Sequence, residues 1–220
     1  MQPSRPGTAR HDDRQDRALR RWGVQNCHLV DQAAYGAGLS RLMADDDAAP
    51  RQAAGLVDHL RTDKGESVRR LLEDAVEMAR AGEDAHAADD AWPHGVADEL
   101  DDLLQDLEDH DAREDLAYGL ALDAPAGRTR VIERMLEEHV AMTAQLAGLR
   151  RRMGDYAAPG HACATWRLLY VLCVKVEDIL LGRMALEEQR LFRPVLRNHT
   201  EGSSCPRTRS GRARPPRRSA

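Results

Sequence analysis

Apolar residues recur along this chain at three- and four-residue intervals in four long stretches. Residues 51–81 place Leu56, Leu60, Val68, Leu71, Leu72, Ala75 and Met78 mainly on one helical face, with Gly65 as a candidate kink. Residues 95–118 put Val96, Leu100, Leu103, Leu104 and Leu107 on one stripe and cover the rest with acids. Residues 129–153 carry Ile132, Leu136, Val140, Leu146 and Leu149, and Thr129 is placed to be an N-cap. Residues 162–191 are the most apolar, from Trp166 through Leu186. Short breaks holding Pro93, Pro125 and Pro159 separate the stretches, so the pattern predicts an antiparallel four-helix bundle over 51–196.

The pattern weakens at both ends. Residues 1–12 read as a disordered leader. Residues 13–48 form a small helical unit, with one helix from Asp13 to about Trp22 that ends at Gly23 and another from Asp31 to Met43. Such a unit is too small to be stable without docking or pairing, which brings a homodimer into consideration. Residues 198–220 lack a hydrophobic face and are rich in Arg, Pro, Gly and Ser, so they are expected to be disordered.

Composition supports an all-α fold. Two Ile, one Phe and 4% aromatic residues are too few to build a large sheet, while 42% hydrophobic residues suffice for a core. No apolar run approaches the roughly 18 residues of a membrane helix. The N-terminus has no apolar h-region, and the four Cys form no CxxC pair, which makes a reducing cytoplasm the default location.

The net charge of −5 hides segregation along the chain. Fourteen acids face one Arg between residues 83 and 115, which reads as a solvated helix face. The tail carries Arg207, Arg209, Arg212, Arg214, Arg217 and Arg218, enough for weak, salt-dependent phosphate contacts. The remainder of the chain is acidic and holds no reading motif, which disfavours nucleic acid as a partner. Phosphate-loop, nucleophile-elbow and HExxH motifs are absent, so nucleotide hydrolysis and the common hydrolase chemistries lack support. Cys163 and Cys173 read as small packed hydrophobes, Trp166 and Tyr170 as core, and Cys27 beside His28 as incidental. His11, His86, His94, His161 and His199 fall in loops or tails, and nothing in the sequence gathers them into a site.

One constellation carries chemistry. His110 and Glu114 lie four residues apart on the second long helix and so share a face. His139 sits among apolar positions of the third, and Glu187 near the end of the fourth. Two imidazoles and two carboxylates suit iron, manganese or zinc and are too soft a set for calcium. From spacing alone, an HxxxE pair in an acidic helix is more often surface decoration.

Three segments add a resemblance. ValIleGluArgMetLeuGluGluHis at 131–139, AlaCysAlaThrTrpArgLeuLeuTyr at 162–170 and LeuGluGluGlnArgLeuPheArgPro at 186–194 resemble the C-terminal half of the repair-of-iron-centres family. These are di-iron, iron–sulfur cluster repair proteins with a hemerythrin-like bundle. The middle segment is the most specific, and the other two are shared with hemerythrin-like domains generally. LeuGlnAspLeuGluAspHisAspAlaArgGlu at 104–114 resembles the segment that supplies a His and a bridging Glu. ArgAlaLeuArgArgTrpGlyValGlnAsnCysHis at 17–28 resembles the short N-terminal domain, without its adjacent cysteines.

The resemblance implies an all-α, hemerythrin-like antiparallel four-helix bundle preceded by a small helical N-terminal domain. It implies non-haem iron, a cytoplasmic role under nitrosative or oxidative stress through iron delivery or nitric oxide handling, and iron–sulfur proteins as partners. Carried over, His110 and His139 are terminal iron ligands, and Glu114 and Glu187 are carboxylate bridges. Two further expected His fall on Arg61 and Arg183. Arg offers donors only and cannot ligate. His59 lies two residues from Arg61, a rotation of about 200° on a helix. Arg183 is spaced to pair with Glu187, and Arg61 is expected to meet Glu114. Three states stay open: a metal-free site of salt bridges, a single ion on the four retained ligands, and a full di-iron centre. The alternative function is a degenerate bundle that binds a partner or regulates.

Overall fold

The computed structural model describes residues 8–26, 29–42, 49–123 and 129–202. Each apolar stripe becomes a helix because the stripe can be buried only if its residues share one face. The elements run α1 (Thr8–Arg21), β1 (Val24–Asn26), β2 (Leu29–Val30), α2 (Gln32–Leu42), α3 (Ala53–His59), α4 (Glu66–Ala85), α5 (Val96–Asp123), α6 (Thr129–Arg152), α7 (Ala164–Glu187) and α8 (Arg193–Gly202). Wide π-helical turns at Leu60–Gly65 and Glu188–Phe192 join α3 to α4 and α7 to α8.

Cross-helix ion pairs fix the directions. Arg61 meets Asp115, Arg69 meets Asp111 and Arg80 meets Asp101, so α3–α4 and α5 run antiparallel. Arg113 with Glu138 and Arg152 with Glu99 set α5 against α6, and His139 with Glu187 and Arg150 with Glu177 set α6 against α7. The result is the expected all-α, four-helix bundle.

Its interior is not one continuous apolar mass. A large cluster takes in Leu72, Met78, Leu100, Leu107, Met142, Trp166 and Leu180, and a smaller one takes in Leu56, Leu60, Ala117, Tyr118, Ile132, Met135, Leu191 and Phe192. On α5 the first cluster stops at Leu107 and the second starts at Ala117. On α6 the gap lies between Met142 and Met135. His110, Glu114 and His139 occupy these gaps, and Arg183 and Glu187 are buried with them.

Several boundaries depart from the sequence expectation. α1 begins at Thr8, inside the stretch expected to be a disordered leader, and α8 continues to Gly202, inside the expected disordered tail. Residues 1–7 and 203–220, including the Arg-rich run, lie outside the described residues. Gly65 marks the end of a π-helical turn, not a kink. α5 runs five residues beyond the expected end at 118. Val140 is 71% exposed, because its neighbour His139 takes the inward position on α6.

The N-terminal unit includes a small antiparallel hairpin that the sequence reading missed, with Val24 paired to Val30. Cys27 and His28 lie outside the described residues. The unit docks on α4. Trp22 is buried, and its indole N–H donates to Asp74 Oδ2 at 2.8 Å, while Arg21 reaches both Asp74 oxygens at 2.9 Å. Gly23 follows at φ 70°, where an added Cβ would come within 2.7 Å of Ala34 Cβ, so only glycine turns the chain here. Burial holds the Asp74 pKa above the usual carboxylate range even against Trp22 and Arg21.

At the N-terminal end of α7 two of these histidines, His86 and His161, gather. His86 stacks on Trp92 at 5.2 Å, Trp92 meets Trp166 edge-on at 4.9 Å, and His161 meets Trp166 at 5.6 Å. Cys163 is the N-cap of α7: its Sγ accepts from the Trp166 N–H at 3.4 Å and lies 3.4 Å from His86 Nε2. It is thus a polar partner while also packing against the core, and Cys173 is wholly buried.

Trp22→Ala removes both the indole donor and its buried surface. It should lower stability by about 3 kcal/mol and open α1 to limited proteolysis, while Arg21→Ala, at a half-exposed pair, should cost under about 1 kcal/mol. Thermal melts and proteolysis of the two variants check this.

Candidate metal centre

The site is built from helical spacing. His110 and Glu114, then Glu114 and Tyr118, are successive four-residue steps on α5, and Arg183 and Glu187 make the same step on α7. α6 brings His139 between them. One ligand atom each from His110, His139 and Glu187 lies within 4.8 Å of the other two. The His110 and His139 rings stand 5.1 Å apart, and His139 Nε2 comes to 3.1 Å from Glu187 Oε2. Glu114 Oε1 is 3.7 Å from His110 Nε2, but Glu114 turns its other oxygen to Arg183. Three of the four predicted ligands therefore converge, and the fourth is diverted.

Arg183 is the diverting group. Its Nε donates to Glu187 Oε1 at 2.9 Å, and its Nη2 donates to Glu114 Oε2 and to Asp111 Oδ1, the latter at 2.6 Å. The expected pairing of Arg183 with Glu187 is present. Arg61 does not meet Glu114. It pairs with Asp115 at 2.8 Å in a largely exposed bridge and lies over the Tyr118 ring at 5.5 Å, because its position on the widened turn faces outward. His59, by contrast, is buried.

Four further side chains were not singled out from the sequence. Glu138 Oε2 accepts from His110 Nδ1 at 3.0 Å and Glu188 Oε1 lies 3.4 Å from His139 Nδ1, so both rings are held from behind with Nε2 facing the site. Tyr118 O–H donates to Glu187 Oε1 at 2.9 Å, and Asp111 shares Arg183 with the two glutamates. A signal was present: Glu138, Glu188 and Asp111 are each the sequence neighbour of a candidate ligand, and Tyr118 lies one turn beyond Glu114.

Charge settles unevenly across the site. Burial works against Glu114, but the His110 hydrogen bond and the Arg183 charge outweigh it and hold the carboxyl at about 2. Glu187 shifts upward, first through burial and then through the charge of Glu114. Burial also works against charged His110, yet Glu114 and Glu138 raise its pKa. Burial pushes the Tyr118 hydroxyl far up, so it remains a donor.

The donor set fits one transition-metal ion. His139 Nε2, Glu187 Oε2 and Glu114 Oε1 are buried with no aligned hydrogen-bond partner among the described residues. Buried polar atoms left so are costly unless something is bound to them, and two imidazoles with carboxylates suit iron, manganese or zinc. The set does not fit two ions, because the guanidinium lies between Glu114 and Glu187 and has no lone pair to offer.

With metal chelated, Glu187→Ala leaves Arg183 short of a buried partner and should cost about 3–5 kcal/mol. Denaturant unfolding in chelator measures this, and a stability equal to that of the parent protein would refute the role of the pair.

Residues 56–195 match the model of the hemerythrin HHE cation binding domain. The chain is 30% identical over 152 residues to the iron–sulfur cluster repair protein DnrN of Neisseria gonorrhoeae, covering 68% of this chain and 94% of that one. It is 31% identical over 131 residues to the iron–sulfur cluster repair protein YtfE of Musicola paradisiaca (strain Ech703), covering 59% of each, and 30% identical over 126 residues to YtfE of Edwardsiella ictaluri (strain 93-146). The matched span holds every residue of the centre, and the chain belongs to the hemerythrin HHE family, among the iron–sulfur cluster repair proteins.

Proposed function

We propose that this chain binds iron through His110, His139 and Glu187, with Glu114 beside them, and serves iron–sulfur cluster repair under nitrosative or oxidative stress. The observation that carries the reading is the convergence of three ligand atoms within 4.8 Å in the bundle interior, two of them on residues whose buried polar atoms lack aligned hydrogen bonds. The names of the relatives supply the biological setting. Iron held here would either bind nitric oxide or itself be the ion delivered to a damaged cluster. The protein's own groups orient the imidazoles through Glu138 and Glu188, hold Glu187 through the Tyr118 hydroxyl, and keep water from the ring faces through Phe192, whose ring lies 6.0 Å from that of His139. No helix among the described residues is long and apolar enough to cross a membrane. The reading extends to the cytoplasm as the place of action and to iron–sulfur proteins as partners.

Arg183 favours a second reading. A guanidinium that already pairs with Asp111, Glu114 and Glu187 makes a metal-free bundle self-consistent, and such a bundle would act by binding a partner.

Elemental mass spectrometry on protein purified anaerobically without a His tag separates the two. Iron is expected to accompany the parent protein, and Glu138→Gln, which loosens the support behind His110, should weaken iron binding about tenfold or more. A folded, helical protein carrying no metal would decide for the binding bundle.

A further inference from the structure

The half of the centre around His110 and His139 has the makings of a metal site. The other half is organised around a side chain that is itself a cation. Arg183 is 3% exposed, Glu114 3% and Glu187 0%, so their charges meet in the interior, with Asp111 at its edge. Arg69 leans onto Asp111 from the solvent side at 3.2 Å. Arg183 cannot lose its proton, so its charge is permanent.

Two constraints follow. The first is space: Nε and Nη2 of one guanidinium span Glu187 and Glu114, and a metal ion cannot share that position. The second is charge. Three carboxylates against Arg183 leave two negative charges, which Arg69 on Asp111 and one divalent ion on the imidazole side already offset. A second divalent ion beside Arg183 would leave an uncompensated positive excess in the core, at a cost of several kcal/mol.

We propose that Arg183 is a resident cation: it limits the centre to one metal ion and masks a latent second metal site formed by Asp111, Glu114 and Glu187. This rests on the reading that His110, His139 and Glu187 hold the first ion. Substituting Arg183 by histidine exchanges a permanent charge for a neutral nitrogen donor among three carboxylates. Four such donors, three of them anionic, are a site for a divalent transition metal.

The test loads full-length parent protein, R183H and R183K anaerobically with ferrous ion, removes excess, and measures metal per chain by elemental mass spectrometry. Thermal melts follow with and without chelator. The parent and R183K, which keeps the charge, are expected to hold about one ion, and R183H about two. R183H should also be the variant whose melting temperature falls most in chelator and recovers most with iron, since its carboxylates depend on an ion for neutralisation. About two ions on the parent protein would overturn the proposal while leaving iron binding intact. R183H remaining at about one would overturn the latent site. A parent protein without metal whose R183H form gains it would reject the first-ion reading and uphold Arg183 as the resident cation. No metal on any of the three would reject both.

Discussion

The fold is organised around a guanidinium held by three carboxylates inside a helical bundle. Arg183 ties α7 to α5 through Glu114 and Asp111, and ties down Glu187 on its own helix. His139 then joins α6 to Glu187. Each of these groups is costly to bury alone, so they are tolerable only as a set. The set requires α5, α6 and α7 to meet at one level and in one rotational setting. Apolar packing alone would accept small slips of one helix along another, and these charge pairs would not.

That requirement explains why the interior comes in two apolar clusters. The polar belt interrupts the stripe on each helix for about two turns, and the clusters above and below exclude water from it. Phe192 and Tyr118 close one side, and Leu107, Met142 and Met184 close the other. The small N-terminal unit attaches to α4 by the same device on a smaller scale. There a single buried carboxylate, Asp74, receives an indole N–H and a guanidinium from the incoming segment.

The bundle was legible in the sequence because helical periodicity is local and the stripes are long. His110, Glu114, His139 and Glu187 were legible because four-residue spacing places pairs on one face, and because three segments resemble a known family. Arg183 with Glu187 followed from the same rule. What spacing alone left open was how Glu114 would choose between an imidazole on its own helix and a guanidinium on another. That choice depends on the packing of α5 against α7. The supports behind the rings, Glu138 and Glu188, stayed hidden because an acid beside a histidine is common on charged helices. The gathering of His86, Cys163 and His161 around two tryptophans was hidden as well, because it assembles from loops far apart in the chain.

The widened turn at Leu60–Gly65 has a consequence for reading ancestry along the first long helix. Two α-helical turns take about seven residues, yet Leu60 and Val68, both fully buried, are eight apart. The π-helical turn absorbs the surplus residue and returns Val68 to the inner face. Residues on either side of it are thus in different helical phase. A count carried from α4 back to α3 drifts by about one position. The turn behaves as an inserted residue stored in the helix, and relatives without it should be aligned with a gap at this point.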